Sequence, residues 1–138
     1  MLAQLIYVSD RSETCTDQDV GKIMVSCKKN NPALGITGVL LYSEKKFIQM
    51  IEGEGDLVTE LYAKIKKDTR HRNAMMIAYG PIPDRAFPSF HMGLRKIAGS
   101  EVDFKTPISA DEKKIFNSIL NGQEENGMKV LDLLKRFF

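Results

Sequence analysis

Residues 30–53, NNPALGITGVLLYSEKKFIQMIEG, decide the fold of this chain of 138 residues. Residues 39–42 are apolar and favour a strand, and residues 47–51 are apolar again apart from one position. The polar residues 43–46 between them are typical of a tight turn, so the sequence predicts two antiparallel strands joined as a hairpin. The rest of the chain is interpreted around this hairpin.

Gln49 is the polar position within the second apolar segment. Because side chains alternate across a strand, Gln49 shares one face with Phe47 and Ile51, while Ile48 and Met50 share the other. A buried amide without hydrogen-bond partners costs about 1–3 kcal/mol. Two interpretations stay open from the strand alone. Gln49 is either a core side chain bonded to neighbouring backbone or a side chain that faces a bound polar ligand.

The composition predicts one soluble globular domain, since 43% of the residues are hydrophobic and 28% are charged. The net charge of +2 is too small to favour a nucleic acid or an anionic membrane as partner. No apolar run approaches the ~20 residues of a membrane span, and the first residues do not resemble a signal peptide. Cys15 and Cys27 form no CxxC pattern and are expected to be reduced thiols in a cytoplasmic protein. With only His71 and His91, no metal site is expected.

A strand and a helix are predicted before the hairpin. Residues 2–9 are apolar and β-prone, which predicts a first strand. Thr16 can cap a helix whose third position is Asp19. Its apolar stripe consists of Val20, Ile23, Met24 and Cys27. Pro32 is predicted to end this helix, because the residue before a proline disfavours the α conformation.

A second helix and two strands are predicted after the hairpin. Residues 52–56 are predicted to form a turn that leads into the helix, and residues 74–79 and 90–97 to form strands. The apolar stripe of the helix is Leu57, Val58, Leu61, Tyr62 and Ile65, and Phe90, Met92 and Leu94 are predicted to share one face of the last strand. The basic C-terminal end of this second helix is either a solvated face that complements the helix dipole or a group that binds phosphate. The order βαββαββ predicts an α+β fold, a ferredoxin-like sheet with two helices on one face.

The opposite face of the sheet is also predicted to be apolar and to need a cover. Residues 109–112 form a capping box. Two apolar stripes follow at helical spacing, Ile115, Phe116, Ile119 and Leu120 in the first, and Val130, Leu131, Leu134, Phe137 and Phe138 in the second. We therefore expect two C-terminal helices on the face opposite the first two.

Five segments in this order carry a resemblance to a known family: LIYVS, NNPALGITGVLLY, FIQMIEG, IKKDTRHRN and FPSFHM. Residues 1–97 resemble the BLUF domain, a flavin-binding sensor of blue light. Residues 98–138 resemble the short helical extension of stand-alone family members, which is expected to serve output or oligomerisation. The resemblance implies a cytoplasmic photoreceptor that is not an enzyme.

The resemblance further implies non-covalent FAD between the two helices that flank the sheet. Asn31 matches the position that bonds the polar edge of the flavin, with Asn30 beside it. Ile23 and Ile65 match the aliphatic pair that sandwiches the ring. The polar positions beside the ring edge and the ribityl chain are Asp68, Arg70 and His71.

Tyr7, Gln49 and Met92 match the light-switching residues of the family. Light is expected to drive electron and proton transfer from Tyr7 to the flavin, and the Gln49 amide to rotate or tautomerise. One departure from the family is Phe90, which stands where many members have a tryptophan, so any step that uses the indole N–H must differ here. His91 is interpreted as a strand residue on the opposite face.

Two other function classes are possible on such a scaffold. A hydrolase of the acylphosphatase type would use Arg70 to bind phosphate and Asn31 to position water, although no supporting motif is present. An RNA-binding sheet would need exposed aromatic residues and a basic surface, which the near-neutral charge disfavours. As a photoreceptor, the chain is expected to signal to a downstream protein through its C-terminal helices, as a homo-oligomer.

Overall fold

The computed structural model describes residues 1–96, 110–120 and 127–135 of the chain, which form a five-stranded sheet with helices on both faces. The elements in chain order are β1 (Leu2–Arg11), α1 (Asp17–Leu34), β2 (Thr37–Tyr42), β3 (Lys46–Glu54), α2 (Gly55–Lys67), β4 (His71–Pro81), β5 (Gly93–Lys96), α3 (Ala110–Leu120) and α4 (Gly127–Lys135). The strand order is β4-β1-β3-β2-β5, with β5 parallel to β2 and the other neighbours antiparallel. The predicted α+β, ferredoxin-like fold is confirmed.

The predicted hairpin is the β2–β3 pair. Ser43 closes it, since its N–H donates to the Lys46 carbonyl at 2.9 Å and its Oγ accepts from the Lys46 N–H at 3.0 Å. β3 then lies between β1 and β2, which makes it the central strand of the sheet. Both faces of β3 are therefore covered.

The alternation of side chains along β1 and β3 divides the core into two layers. The layer under α1 and α2 contains Leu5, Tyr7, Phe47, Ile51, Val20, Ile23, Met24, Val58 and Tyr62. The layer under α3 and α4 contains Ile6, Val8, Ile48, Met50, Phe116, Ile119, Val130, Leu131, Leu133 and Leu134. The prediction that the C-terminal helices cover the opposite face is thus confirmed, and Leu133 is an additional core residue. The capping serine Ser109, Phe137 and Phe138 lie outside the described residues.

The predicted end of α1 at Pro32 is wrong, because the helix continues to Leu34. A proline within a helix removes one backbone donor, and the helix tolerates this loss near its C-terminal end. Gly35 ends the helix instead, with φ 65°, a left-handed conformation that glycine adopts without strain. The Gly35 N–H donates to the Pro32 carbonyl at 3.2 Å, and the Ile36 N–H donates to the Asn31 carbonyl at 3.0 Å. Asn31 is therefore held inside the last turn.

Two predicted boundaries around the last strands and the second helix are also wrong. β3 extends through Glu54 and α2 begins at Gly55, so residues 52–54 are strand and not turn. β5 begins at Gly93, and Phe90 precedes it in a turn where its N–H donates to the Phe87 carbonyl at 3.1 Å. Phe90 and Met92 therefore do not share a strand face with Leu94, because the ladder with β2 starts only at Gly93. The strands β1 and β4 are longer than predicted.

No helix in the described part of the chain combines the length and the apolar character that a membrane crossing requires.

Candidate functional site

Tyr7 and Gln49 face each other in the register of β1 and β3, at the centre of the layer under α1 and α2. Both side chains are buried. The Tyr7 hydroxyl donates to Gln49 Oε1, and Gln49 Nε2 donates to Met92 Sδ at 3.3 Å. The Gln49 amide is thus bonded at both ends by side chains and not by backbone. Tyr7 and Gln49 share one face of the sheet, and the fold brings Met92 to it.

The surroundings of Tyr7 keep its hydroxyl protonated. Burial raises the pKa of Tyr7 well above its ordinary value, and the nearby Cys27, Tyr62 and Asp68 raise it further. The rings of Tyr62 and His71 lie 5.3 Å and 6.0 Å from that of Tyr7, centroid to centroid. Tyr7 can therefore hold and release a proton towards Gln49 but is not a phenolate at rest.

Asn31 connects α1 to the segment that carries Met92. Its side chain is 2% exposed, and its Nδ2 donates to the His91 carbonyl at 2.8 Å. His91 and Met92 are consecutive, so Asn31 and Gln49 bind two neighbouring residues of the same segment. Burial raises the pKa of the Cys27 thiol, one turn before Asn31, and a hydrogen bond from Asn31 partly offsets this. Cys27 is a site neighbour that the sequence indicated only as part of an apolar stripe.

Asp68 and Arg70 form an ion pair in the turn between α2 and β4. The Arg70 Nε donates to both carboxylate oxygens of Asp68, at 2.9 Å and 3.1 Å, and the Arg70 N–H donates at 2.9 Å. The hydrogen bond from Arg70 is the main reason why the pKa of Asp68 is lowered. Both side chains are partly exposed, so the pair is accessible to a ligand.

His71 lies buried beside this turn and against Tyr7. Its Nδ1 is 2.8 Å from the Ser9 Oγ, and its ring lies 4.5 Å from that of Phe47. Burial lowers the pKa of His71 from 6.5 to about 4, with Asp68 opposing the shift and Arg70 adding to it. The imidazole is therefore neutral at physiological pH. Ser9 was not predicted as a site residue, although its position on the Tyr7 face is a signal for it.

The remaining predicted residues differ in their placement. Ile23 of α1 is buried and Ile65 of α2 is half-buried against the same layer, whereas Asn30 is exposed and no described contact joins it to the others. Phe90 is 38% exposed and stacks on Phe87 at 5.9 Å between ring centroids. In the described residues, no three His, Cys, Asp or Glu side chains are grouped to hold a metal ion.

This set of side chains fits a flavin. The amides of Asn31 and Gln49 offer both donors and acceptors, as the polar edge of an isoalloxazine ring requires. Arg70 adds a cationic donor, and the aliphatic Ile23 and Ile65 suit the two apolar faces of a flat ring. The fit thus combines a polar edge with apolar faces in one layer of the protein.

Comparisons with known proteins point in the same direction. The family model described as sensors of blue light using FAD, BLUF, matches residues 2–93. The photoactivated adenylate cyclase subunit beta of Euglena longa is 36% identical over 88 residues, which are 64% of this chain and 10% of that protein. The chain therefore spans about a tenth of the length of this relative.

Solved structures show the same fold. The dark-state structure of BlrB, a BLUF protein, is 35% identical with a TM-score of 0.67, and the match covers 69% of this chain and 72% of that one. The photo-activated state of BlsA is 26% identical with a TM-score of 0.76, and the match covers 99% and 94% of the two chains.

Proposed function

Because the chain belongs to the BLUF family, the sensors of blue light that use FAD, we propose that Tyr7, Gln49 and Met92 are its light switch. The observation that supports this is the continuous set of hydrogen bonds from the Tyr7 hydroxyl through the Gln49 amide to the Met92 sulfur. A primary amide carries an acceptor oxygen and a donor nitrogen at its two ends. Reversing it changes both bonds without breaking a covalent bond.

Specific side chains would hold the FAD. Asn31 and Gln49 would bind the polar edge of the ring, with Asn30 beside them. Ile23 and Ile65 would pack on its two faces. The side chains beside the ring edge and the ribityl chain would be Asp68, Arg70 and His71. When bound, FAD supplies the absorption of blue light and an acceptor for one electron.

Tyr7 is the proposed electron and proton donor. Burial raises the pKa of Tyr7, so its hydroxyl keeps the proton until an electron leaves the tyrosine ring. The proton then moves along the existing bond to Gln49 Oε1. Gln49 rotates or tautomerises in response, and its bond to Met92 Sδ is replaced. Return of both the electron and the proton to Tyr7 restores its hydroxyl, and return of the Gln49 amide to its starting form restores the original bonds.

The signal is proposed to leave through the C-terminal helices. Ile48 and Met50 flank Gln49 on β3 and pack in the layer that contains Phe116 and Val130. Because packed cores switch between discrete arrangements, a movement of β3 can repack α3 and α4. In this proposal residues 1–97 sense light without catalysing a reaction, and residues 98–138 act on a homo-oligomer interface or a downstream protein.

The hydrolase alternative has no support from the comparisons. Its two candidate residues, Arg70 and Asn31, are assigned to FAD binding in this proposal.

Difference spectroscopy of the purified protein with FAD tests the proposed function. Blue light is expected to shift the flavin absorption band reversibly to the red, with no covalent adduct. Hydrogen exchange in the dark and under light is then expected to differ within α3 and α4 as well as around Gln49. A protein that does not take up FAD, or that shows no red shift, contradicts the switch. Unchanged exchange in both C-terminal helices contradicts the output.

A further inference from the structure

Glu52 is a fully buried carboxylate on β3 that the proposed switch does not use. It lies three residues after Gln49 and points to the opposite face of the sheet, since side chains alternate along a strand. Its Oε1 accepts from the Thr37 hydroxyl at 2.9 Å and from the Phe87 N–H at 2.8 Å. Its Oε2 accepts from the Ala86 N–H at 2.8 Å. The carboxylate thus binds two consecutive backbone donors of the loop between β4 and β5.

Arg85 completes this attachment. Its Nη1 donates to the Thr37 Oγ1 at 2.9 Å and to the Glu52 carbonyl at 3.2 Å. A buried carboxylate is stable only where hydrogen bonds replace its lost hydration, so Glu52 needs the loop in this position. Ala86 and Phe87 lie in the loop between β4 and β5, and their N–H groups donate to the two oxygens of Glu52.

The same loop leads directly to Met92. We define residues 85–92 as the strap. After Phe87, the strap is held by the Gly38 N–H, which donates to the Phe90 carbonyl at 2.9 Å, and by Asn31, which donates to the His91 carbonyl. Gly38 has φ 154°, and a Cβ there would come within 2.0 Å of the Met50 carbonyl oxygen, so the backbones approach as only glycine allows. Met92 is the last residue of the strap, and its sulfur accepts the hydrogen bond from Gln49.

We propose that Glu52 is a positioning residue for Met92. By fixing the start of the strap to β2 and β3, Glu52 determines how often Met92 Sδ occupies its place at Gln49 Nε2. This inference rests on the proposed function, in which that bond is part of the switch. Its physical basis is that β3 carries Gln49 and Glu52 on opposite faces and the strap contacts both.

Glu52→Gln tests the proposal with little change in volume. An amide in place of the carboxylate turns one acceptor into a donor, which then faces the Ala86 or Phe87 N–H and releases the start of the strap. Glu54→Gln is the matched control, since Glu54 lies on the same strand but is exposed and pairs with the amino terminus. Arg85→Met is the second variant, because it loosens the strap and leaves the buried carboxylate in place.

Two measurements are made on each variant. The first is the methyl NMR signal of Met92 in the dark, assigned with Met92→Leu, which is expected to shift or broaden in Glu52→Gln and Arg85→Met but not in Glu54→Gln. The second is dark recovery after blue light. Recovery restores the bond between Gln49 and Met92, so its rate constant is expected to fall in proportion to the fraction of molecules in which Met92 is in place. For the loss of one hydrogen bond this decrease is about fivefold.

The outcomes distinguish this inference from the proposed function. A Met92 signal and a recovery rate equal to wild type in Arg85→Met overturn it, and so does an unchanged Met92 signal in folded Glu52→Gln, even if the melting temperature falls. A wild-type protein without a red shift contradicts the proposed function alone. In that case the dark Met92 signal still decides whether Glu52 positions the strap.

Discussion

The two faces of the sheet are both buried, but they differ in their polar content. Under α1 and α2, the buried polar side chains Ser9, Asn31, Gln49 and His71 each have a hydrogen-bond partner. Under α3 and α4 the layer is apolar apart from Gln4, Thr37 and Glu52, which lie together near the end of β3. Buried polar groups cost stability unless they are paired, so the paired group around Tyr7 and Gln49 marks a candidate site.

Two of these polar side chains, Glu52 and Gln4, differ in their hydrogen bonds. Glu52 is bonded by three donors of the protein. Gln4, its partner in the register of β1 and β3, is 6% exposed, and its buried Oε1 has no hydrogen-bond partner among the described residues. A fully bonded group can position a segment, whereas a buried oxygen without a hydrogen-bond partner only lowers stability.

The largest effect is expected from the polar face. Tyr7→Phe and Gln49→Leu each remove one switching group with little change in volume, so FAD is expected to stay bound while the red shift disappears. The measurement is the light-minus-dark absorption spectrum at equal FAD content. A normal photocycle in either variant would show that the hydrogen bonds of the polar face are structural only.

A loss of stability without loss of the red shift is expected from the apolar face. Phe116 of α3 is 1% exposed, and Phe116→Ala is expected to lower the free energy of unfolding by about 3–5 kcal/mol, because it leaves a cavity. Urea denaturation measures this, with Phe116→Leu as the milder control. A loss below about 1 kcal/mol would mean that α3 is not part of the core.

The stability of the polar face is expected to depend on pH through His71. The pKa of His71 is about 4 in the folded protein, against 6.5 as the ordinary value, so the unfolded chain binds more protons between these two values. Stability is therefore present above pH 6.5 and is lost as the pH falls towards 4, by about 2–3 kcal/mol.

Urea denaturation at several pH values checks the effect of His71. The variant His71→Gln is expected to flatten the slope in this window, while His91→Gln, which changes an exposed side chain, serves as the control. An unchanged slope in His71→Gln would assign the pH dependence to other groups.

The smallest effect is expected at Gln4, and it has the opposite sign. Gln4→Met keeps the length of the side chain and removes an unbonded buried oxygen, so the protein is expected to gain about 1 kcal/mol of stability. The melting temperature measures the gain, and Gln49→Met is the contrasting variant, since it removes a fully bonded amide. A destabilised Gln4→Met would indicate that this amide has a partner in solution.

The sequence by itself determined the elements and their faces. Alternation along β3 placed Gln49 on the face of Phe47 and Ile51, and the pairing of Thr16 with Asp19 is the capping box observed at the start of α1. Helical periodicity placed Phe116 and Val130 in the second layer. These features are local, because the period of a strand or a helix and the chemistry of a cap depend on residues a few positions apart.

Only the tertiary structure decided how the strap is held. Asn31 bonds a carbonyl 60 residues away, and Glu52 bonds the N–H of Ala86, 34 residues away. Backbone groups are the same at every residue, so no sequence pattern identifies which of them a side chain will reach. The start of β5 at Gly93 follows from its long-range pairing with β2. Residues 52–54, predicted as a turn, become strand because β1 pairs with all three of them and Thr37 of β2 pairs with Glu52.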